Sequence, residues 1–351
     1  MPTLVSKFGG SSTANADCFR QVWRIVRASP ARRCVVLSAP GTDARRREKV
    51  TALLEKAWRD RDARSVDAAC ARFGEIAETL GVSGFAEEAR REIEGALGRS
   101  EAATVSRGEY LCARLFSRCT GVPMADAAEV VRFDADGRLD APATAAGFIA
   151  LSRKFERVVV PGFYGADPSG SLRLFPRNGS DITGALAAAG MGAGLYENWT
   201  DVPGLMTADP AVVPEARLIP QISYRQMRAL ARAGARVLHP ACLDPVAMAG
   251  IPTRLRCTMR PAQFGTLIDD RSEAVVPCLA AKVEGGRAGI SVFGIPVGRV
   301  REAAKDFDPD GVEDLGDRVE VRVGADALTQ CVRALHRRLI DGRDAYSSPA
   351  T

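Results

Sequence analysis

Lys7-Phe8-Gly9-Gly10-Ser11-Ser12 closes a short apolar run that includes Val5, and a helical pattern follows from about Thr13 to Val26. A strand that stops at paired glycines and turns into a helix leaves backbone N–H groups aimed outward at the positive helix end, which suits a phosphate. Lys7, just ahead of the glycines, has the reach to meet a transferring phosphoryl group. Alone, the segment also fits an ordinary glycine turn with a surface lysine. A second segment, Arg177-Asn178-Gly179-Ser180-Asp181-Ile182-Thr183-Gly184, repeats the logic with more parts. Arg177 can clamp a carboxylate in two-pronged fashion. Gly179 and Ser180 offer close backbone approach and a hydroxyl at a helix start. Asp181 either caps that helix or orients Lys7 or a substrate amine. Together the two segments point to phosphoryl transfer onto a small acidic substrate.

Outward from these loops the chain reads as α/β. Cys34–Leu37, closed by Ser38-Ala39-Pro40-Gly41, and Arg157–Val160, followed by Pro161-Gly162-Phe163-Tyr164-Gly165, are buried-type strands. Residues from about Arg45 to Gly121 are helical in pattern, with breaks at Gly81-Val82-Ser83-Gly84 and near Gly98. Asp134-Ala135-Asp136-Gly137 is a hairpin turn; it matches the first half of a calcium loop, but the later ligands are absent. Ser180–Met191 is an Ala-rich helix, Gly194–Trp199 a strand, Tyr224–Ala233 and Pro245–Ala249 helices, and Pro252–Cys257 a third β run. Strands alternating with helices imply a mainly parallel sheet. After Asp269-Asp270-Arg271-Ser272-Glu273, which has the composition of a linker, a short β–α–β–β–α pattern follows: Ala288–Gly294, Pro296–Phe307, Val312–Leu315, Val319–Val323 and Ala327–Ile340. The expected domains are 1–270 and 275–342, with a loose tail over 343–351.

Composition narrows the function classes. With 351 residues, 46% hydrophobic and 26% charged, the chain has the balance of a globular protein with one large core and room for a smaller one. No apolar run is long enough to span a bilayer, and Lys7 with its two glycines interrupts any signal-peptide pattern, so the expected place is the cytoplasm. The net charge of +5 is spread among acids, and Arg45-Arg46-Arg47, its densest run, reads as a solvated loop, so neither nucleic acid nor membrane is an expected partner. Nine cysteines, scattered singly, and only His239 and His336 give no metal-ligand spacing and no disulfide framework. Lysines are few (Lys7, Lys49, Lys56, Lys154, Lys282 and Lys305), so one beside a glycine pair suggests a need for a compact point charge. No GxxxxGK[ST] loop is present. Glu109, in Ser106-Arg107-Gly108-Glu109-Tyr110, opens a helix; it is either a favourable dipole charge or an ammonium site. Trp199-Thr200-Asp201-Val202 and Thr207-Ala208-Asp209-Pro210 follow a strand and make a nucleotide shelf.

With these segments in order, the chain resembles the aspartokinases of the amino-acid kinase superfamily. The resemblance rests on Val5–Ser12, Ser38–Gly41, Val50–Leu54, Ser106–Leu111, Val160–Phe163, Arg177–Asp181, Trp199–Val202, Thr207–Pro210, Gly234–Pro240 and Gly265–Ile268, in the family's order. It implies an amino-acid kinase-like sandwich with a mainly parallel central sheet, plus a small α+β ACT-like domain. It also implies ATP-dependent phosphorylation of the β-carboxylate of L-aspartate, with magnesium accompanying the ATP and a homodimer as the usual assembly. Carried over residue by residue, Lys7 and Asp181 are catalytic. Ser38, Thr51, Glu109, Arg177 and Ser180 line the substrate, Glu109 taking the α-amine and Arg177 the α-carboxylate. Lys7, Gly9, Gly10, Ser11, Thr200, Asp201 and Arg236 face the nucleotide. The chain departs from the family pattern at Asn178, where glycine is usual, at Ala211 and Arg236, where arginine and lysine are common, and at Cys257, where asparagine is usual. Asn178 is the residue that would argue for a different acceptor, and loss of Lys7 or Asp181 would have argued for a non-catalytic homologue. The C-terminal pattern suffices for about one βαββαβ unit and lacks some of its strands, so weak or absent feedback inhibition by lysine or threonine is the expectation.

Overall fold

The computed structural model describes residues 2–176, 178–235, 238, 240–271 and 274–341. Arg177, Arg236, His239 and the expected tail lie outside the described residues. The strands are β1 (Leu4–Phe8), β2 (Arg32–Leu37), β3 (Val158–Pro161), β4 (Tyr164–Ala166), β5 (Leu172–Leu174), β6 (Leu195–Thr200), β7 (Gln221–Ile222), β8 (Thr253–Cys257), β9 (Thr266–Ile268), β10 (Cys278–Glu284), β11 (Arg287–Phe293), β12 (Gly311–Asp314) and β13 (Val319–Gly324). The helices are α1 (Ala16–Arg27), α2 (Val50–Asp60), α3 (Ala63–Thr79), α4 (Phe85–Leu97), α5 (Glu101–Val105), α6 (Arg107–Thr120), α7 (Ala127–Val130), α8 (Ala141–Lys154), α9 (Gly179–Gly190), α10 (Tyr224–Arg232), α11 (Pro240–Met248), α12 (Val297–Ala304) and α13 (Leu328–His336).

Two compact units result: residues 1–203 with 241–264, and residues 204–240 with 265–351. In the first, β3, β2, β1, β6 and β8 lie side by side in that order, every pairing parallel. Strands of four to six residues, buried almost throughout, are what a parallel sheet covered on both faces requires. The odd/even pleat of β1 separates two chemistries. Phe8 joins Val35, Leu37 and Trp199 in a core built largely from α1, α2, α3, α4 and α6. Lys7 points to the other face, where α9 lies. Chain order runs outward from β1 to β2 and β3, then returns to the other side of β1 as β6 and β8. The strand order therefore reverses between β1 and β6, and in open α/β sheets ligands bind at the carboxyl ends beside such a reversal.

Most sequence-read elements stand within a residue or two of expectation, including the 134–137 turn, where Gly137 takes φ +79° and the flanking Phe133 and Leu139 pair. The hairpin β4–β5, the helices α7 and α8 and the short strands β7 and β9 were not read from sequence. In the second unit β7 pairs in parallel with β9. Its four-stranded antiparallel sheet has the order β10-β11-β13-β12. Ala288, Ile290, Val292, Val319, Val321 and Val323 alternate onto one face and meet Val300, Ala303, Cys331 and Leu335 from α12 and α13. The β–α–β–β–α reading omitted β10. The structure corrects it to β–β–α–β–β–α: an additional strand, earlier in the chain, occupies the edge beside β11.

Candidate active site

Lys7 sits one residue before the carboxyl end of β1, in register with Asn198 on β6. Its ammonium nitrogen lies 2.5 Å from Asp181 Oδ1, and both side chains are about nine-tenths buried. It is thus not a surface lysine. Asp181 occupies the first turn of α9, whose preceding residue, Asn178, is left-handed at φ +63°, ψ +28°. Asparagine tolerates that region better than most residues, so backbone geometry accounts for it here. Asp181 does not cap its helix through its side chain. It accepts instead from Lys7 and from Asn198 Nδ2 at 2.9 Å, while Tyr196 O–H donates to its backbone carbonyl at 3.1 Å. Gly184 lets α9 descend this far: a Cβ there would stand 2.6 Å from the Tyr196 hydroxyl and 3.0 Å from Lys7 Cβ. Gly162 and Ser180 abut in the same region.

The glycine turn passes directly beside this pair, since a Cβ on Gly9 would lie 3.4 Å from the Lys7 ammonium. Gly9 N–H donates to the Trp199 carbonyl at 3.0 Å, which ties the turn to the end of β6. Gly10, Ser11 and Ser12 then wind as a short 3-10 turn ending at Thr13. The Ser38–Gly41 loop leaves β2 alongside. Ser38 N–H donates to Phe8 carbonyl, Gly41 N–H to Gly10 carbonyl at 2.8 Å, and the Thr13 hydroxyl lies 3.2–3.3 Å from the carbonyls of Gly10, Ser38 and Ala39.

Glu109 enters from the first turn of α6, where the helix dipole favours its charge, and is 4% exposed. Burial pushes its carboxyl up to about 8, against the downward pull of a backbone hydrogen bond from Ala39 and the charge of Lys7. Its Oε2 is buried and has no hydrogen-bond partner among the described residues. A carboxylate enclosed next to the loop after β2, with one oxygen unsatisfied, is chemically a receptor for a cation with hydrogens to donate. Thr51 lies in the first turn of α2, half-buried. Thr200 ends β6 and Asp201 follows it, the threonine hydroxyl donating to the Asp201 carboxylate at 3.0 Å. Arg45 and Arg47 are exposed in the loop before α2, as a solvated run should be.

The structure therefore groups Lys7, Gly9, Gly10, Asp181 and, through Ala39, Glu109. Arg177 and Arg236 fall outside the described residues. Thr207 lies in the second unit, its hydroxyl 2.9 Å from His336 Nε2 and also accepting from Arg217 N–H. Two contributors were missed in the sequence. Thr13 joins the two loops, and Asn198 holds Asp181. The signal for Asn198 was present, as an amide within an otherwise buried strand, Leu195-Tyr196-Glu197-Asn198-Trp199-Thr200.

Among the described residues no group of three His, Cys, Asp or Glu side chains is placed to hold a metal ion. No helix among them is long and apolar enough to cross a membrane.

A parallel sheet whose order reverses beside a glycine turn, with a buried lysine–aspartate pair and a helix N-terminus at the strand ends, defines an open α/β protein with its candidate site at the reversal. The chain belongs to the amino acid kinase family, whose sequence profile matches residues 2–257. It is 33% identical over 285 residues to aspartokinase 3 of Bacillus subtilis (strain 168), covering 75% of this chain and 63% of that one. It is 33% identical over 293 residues to the lysine-sensitive aspartokinase 3 of Escherichia coli (strain K12), covering 77% and 65% respectively. It thus spans just under two thirds of the length of these curated relatives. In fold it is similar to the aspartate kinase of Clostridium acetobutylicum (TM-score 0.82, 24% identity, 96% of this chain and 100% of that one). The E. coli aspartokinase III structure in complex with aspartate and ADP is similar to the same degree (TM-score 0.81, 24% identity, 96% and 99%).

Proposed function

We propose that this chain transfers the γ-phosphoryl group of ATP to the β-carboxylate of L-aspartate, giving 4-phospho-L-aspartate and ADP. The observation that carries the reading is the buried Lys7–Asp181 pair standing over the Gly9 turn at the β1/β6 reversal. Phosphoryl transfer asks chiefly for alignment and charge stabilisation. An attacking carboxylate is already ionised at neutral pH, so no general base is needed. One of its oxygens forms a bond to phosphorus as the bond to the ADP oxygen breaks, and no proton changes place.

Lys7 lies where negative charge accumulates on the transferring group, and Asp181, held by Asn198, fixes the ammonium in that place. The N–H groups of Gly10 and Ser11 and the start of α9 hold phosphate oxygens; Gly9 contributes its missing side chain. Glu109 receives the α-ammonium of the acceptor through Oε2, which has no hydrogen-bond partner among the described residues. Arg177 takes the α-carboxylate, Ser38, Thr51 and Ser180 line the acceptor, and Thr200, Asp201 and Arg236 lie on the nucleotide side. Magnesium would arrive with the ATP and would supply charge neutralisation there; among the described residues no cluster of His, Cys, Asp or Glu is placed to hold it without the nucleotide. The names of the relatives, and the aspartate and ADP in the E. coli structure, support this choice of substrates. A homodimer and an ACT-like role for the β10–β13 unit belong to the same proposal.

Hydroxylamine trapping of the acyl phosphate, run over a panel of amino acids with ATP and magnesium, tests it. Signal with aspartate supports the reading. Signal only with another acceptor, or none at all, overturns it.

A further inference from the structure

Arg72 lies on α3, is 4% exposed and is aimed at the backs of the loops around Lys7, one turn from Glu75, which pairs with Arg46. Its Nε and Nη2 donate to the carbonyl of Ala14 at 3.1 and 2.8 Å, and Nη2 also donates to the carbonyl of Gly41 at 2.5 Å. Ala14 ends the glycine turn that begins at Gly9, and Gly41 ends the loop that begins at Ser38. One guanidinium therefore clasps the far ends of both loops. Asp43 Oδ2 stands 3.9 Å away and accepts from Asn15 Nδ2, while Oδ1 accepts from the N–H groups of Arg45 and Arg46. Burial pulls Arg72 below the usual arginine range, with Asp43 opposing. A cavity of about 490 Å³ opens behind the clasp, bounded by Asn15, Asp43, Arg46, Arg72, Glu75 and Thr79.

We propose that Arg72 is a positioning residue that sets the phosphate loop (9–14) against the acceptor loop (38–41). The inference rests on the function proposed above. Each loop keeps its own anchor without Arg72: Gly9 N–H on the Trp199 carbonyl, Ser38 N–H on the Phe8 carbonyl. Gly41 N–H on the Gly10 carbonyl and the Thr13 hydroxyl still join the two loops nearer the site. Each substrate therefore retains its binding loop, and what is lost is the hold on the far ends that fixes the angle of one loop against the other. A misplacement of about 1 Å costs on the order of 100-fold in rate.

The test compares the parent chain with Arg72→Met, which keeps the stem and removes the donors, and Arg72→Lys, which keeps the charge but cannot span two carbonyls as a fork. The expected result is kcat down about 100-fold in Arg72→Met, with KM for ATP and for aspartate each within about threefold, and partial recovery in Arg72→Lys. Hydrogen exchange on the folded variants should quicken in residues 9–15 and 38–44 together. A lower melting temperature with kcat per folded molecule unchanged would overturn the proposal, as would a rise in one KM with kcat intact. Should Arg72→Met not fold, the Arg72→Lys kcat and exchange pattern decide by the same criteria. If the parent itself makes no acyl phosphate, the proposed function fails; if the parent is active and both variants match it, only the role of Arg72 fails.

Discussion

Replacing Glu109 by glutamine should make the protein more stable and nearly useless, and the gain in stability should depend on pH. The carboxyl is held at about 8 instead of 4.5 because it is buried, and among the described residues its Oε2 has no hydrogen-bond partner. Between those values the folded chain keeps a proton that the unfolded chain releases. Stability therefore falls as pH rises, by about 1.4 kcal/mol per unit. The contribution is fully present below pH 4.5 and is lost as pH climbs toward 8, leaving a deficit of about 3 kcal/mol at pH 7 and about 5 kcal/mol above pH 9. Glutamine has the same shape and never titrates. Urea unfolding midpoints for parent and Glu109→Gln, taken at each unit from pH 5 to 9 at fixed salt, should coincide near the acid end and diverge steadily until about pH 8. Aspartate affinity should move the opposite way. An ammonium needs the ionised carboxylate, so binding to the parent should strengthen on the order of 50-fold from pH 6 to pH 8, and the variant should show neither the affinity nor its pH dependence. Parallel stability curves across pH 5 to 8 would refute the reasoning, since they would mean the carboxyl is solvated in the folded state.

Lys7→Ala removes the charge that stabilises the transferring group and leaves Asp181 buried without its cation; turnover by the hydroxamate assay should fall by about 10³-fold or more, and a loss of only a few-fold would remove Lys7 from the chemistry. Gly184→Ala puts a methyl 2.6 Å from the Tyr196 hydroxyl and 3.0 Å from Lys7 Cβ; denaturant unfolding should show a loss of about 1–3 kcal/mol, with kcat reduced because the lysine is displaced. The chain should retain its activity in millimolar lysine or threonine, measured in the same assay; strong inhibition by either would show that the β10–β13 unit, or an assembly built on it, carries an effector site.

Much was legible along the chain because local features encode local geometry. Apolar runs such as Cys34–Leu37 and Val158–Val160 could only be buried strands. Paired glycines after Phe8 marked a turn into a helix, and the small residues from Asn178 marked another helix start. Lys7 stood out as a scarce lysine beside glycines. The strand β10 was missed because Cys278-Leu279-Ala280-Ala281-Lys282-Val283-Glu284 carries two central alanines and no clean alternation. It is a strand because β11 pairs with all seven of its residues.

What the sequence by itself determined was the inventory: which residues turn, which strands are buried, and which side chains carry charge beside a phosphate-shaped loop. Only the tertiary structure decided who stands next to whom. Asn198 is 191 residues from Lys7 and becomes its neighbour because the chain crosses back to lay β6 beside β1. Glu109 looks like any acid in a first helical turn until burial raises its pKa, against the pull of a hydrogen bond from Ala39. Arg72 reads as an ordinary helix residue until two distant carbonyls converge on it. Propensity and period act over a few residues, whereas desolvation and charge pairing depend on distances that strand order alone sets.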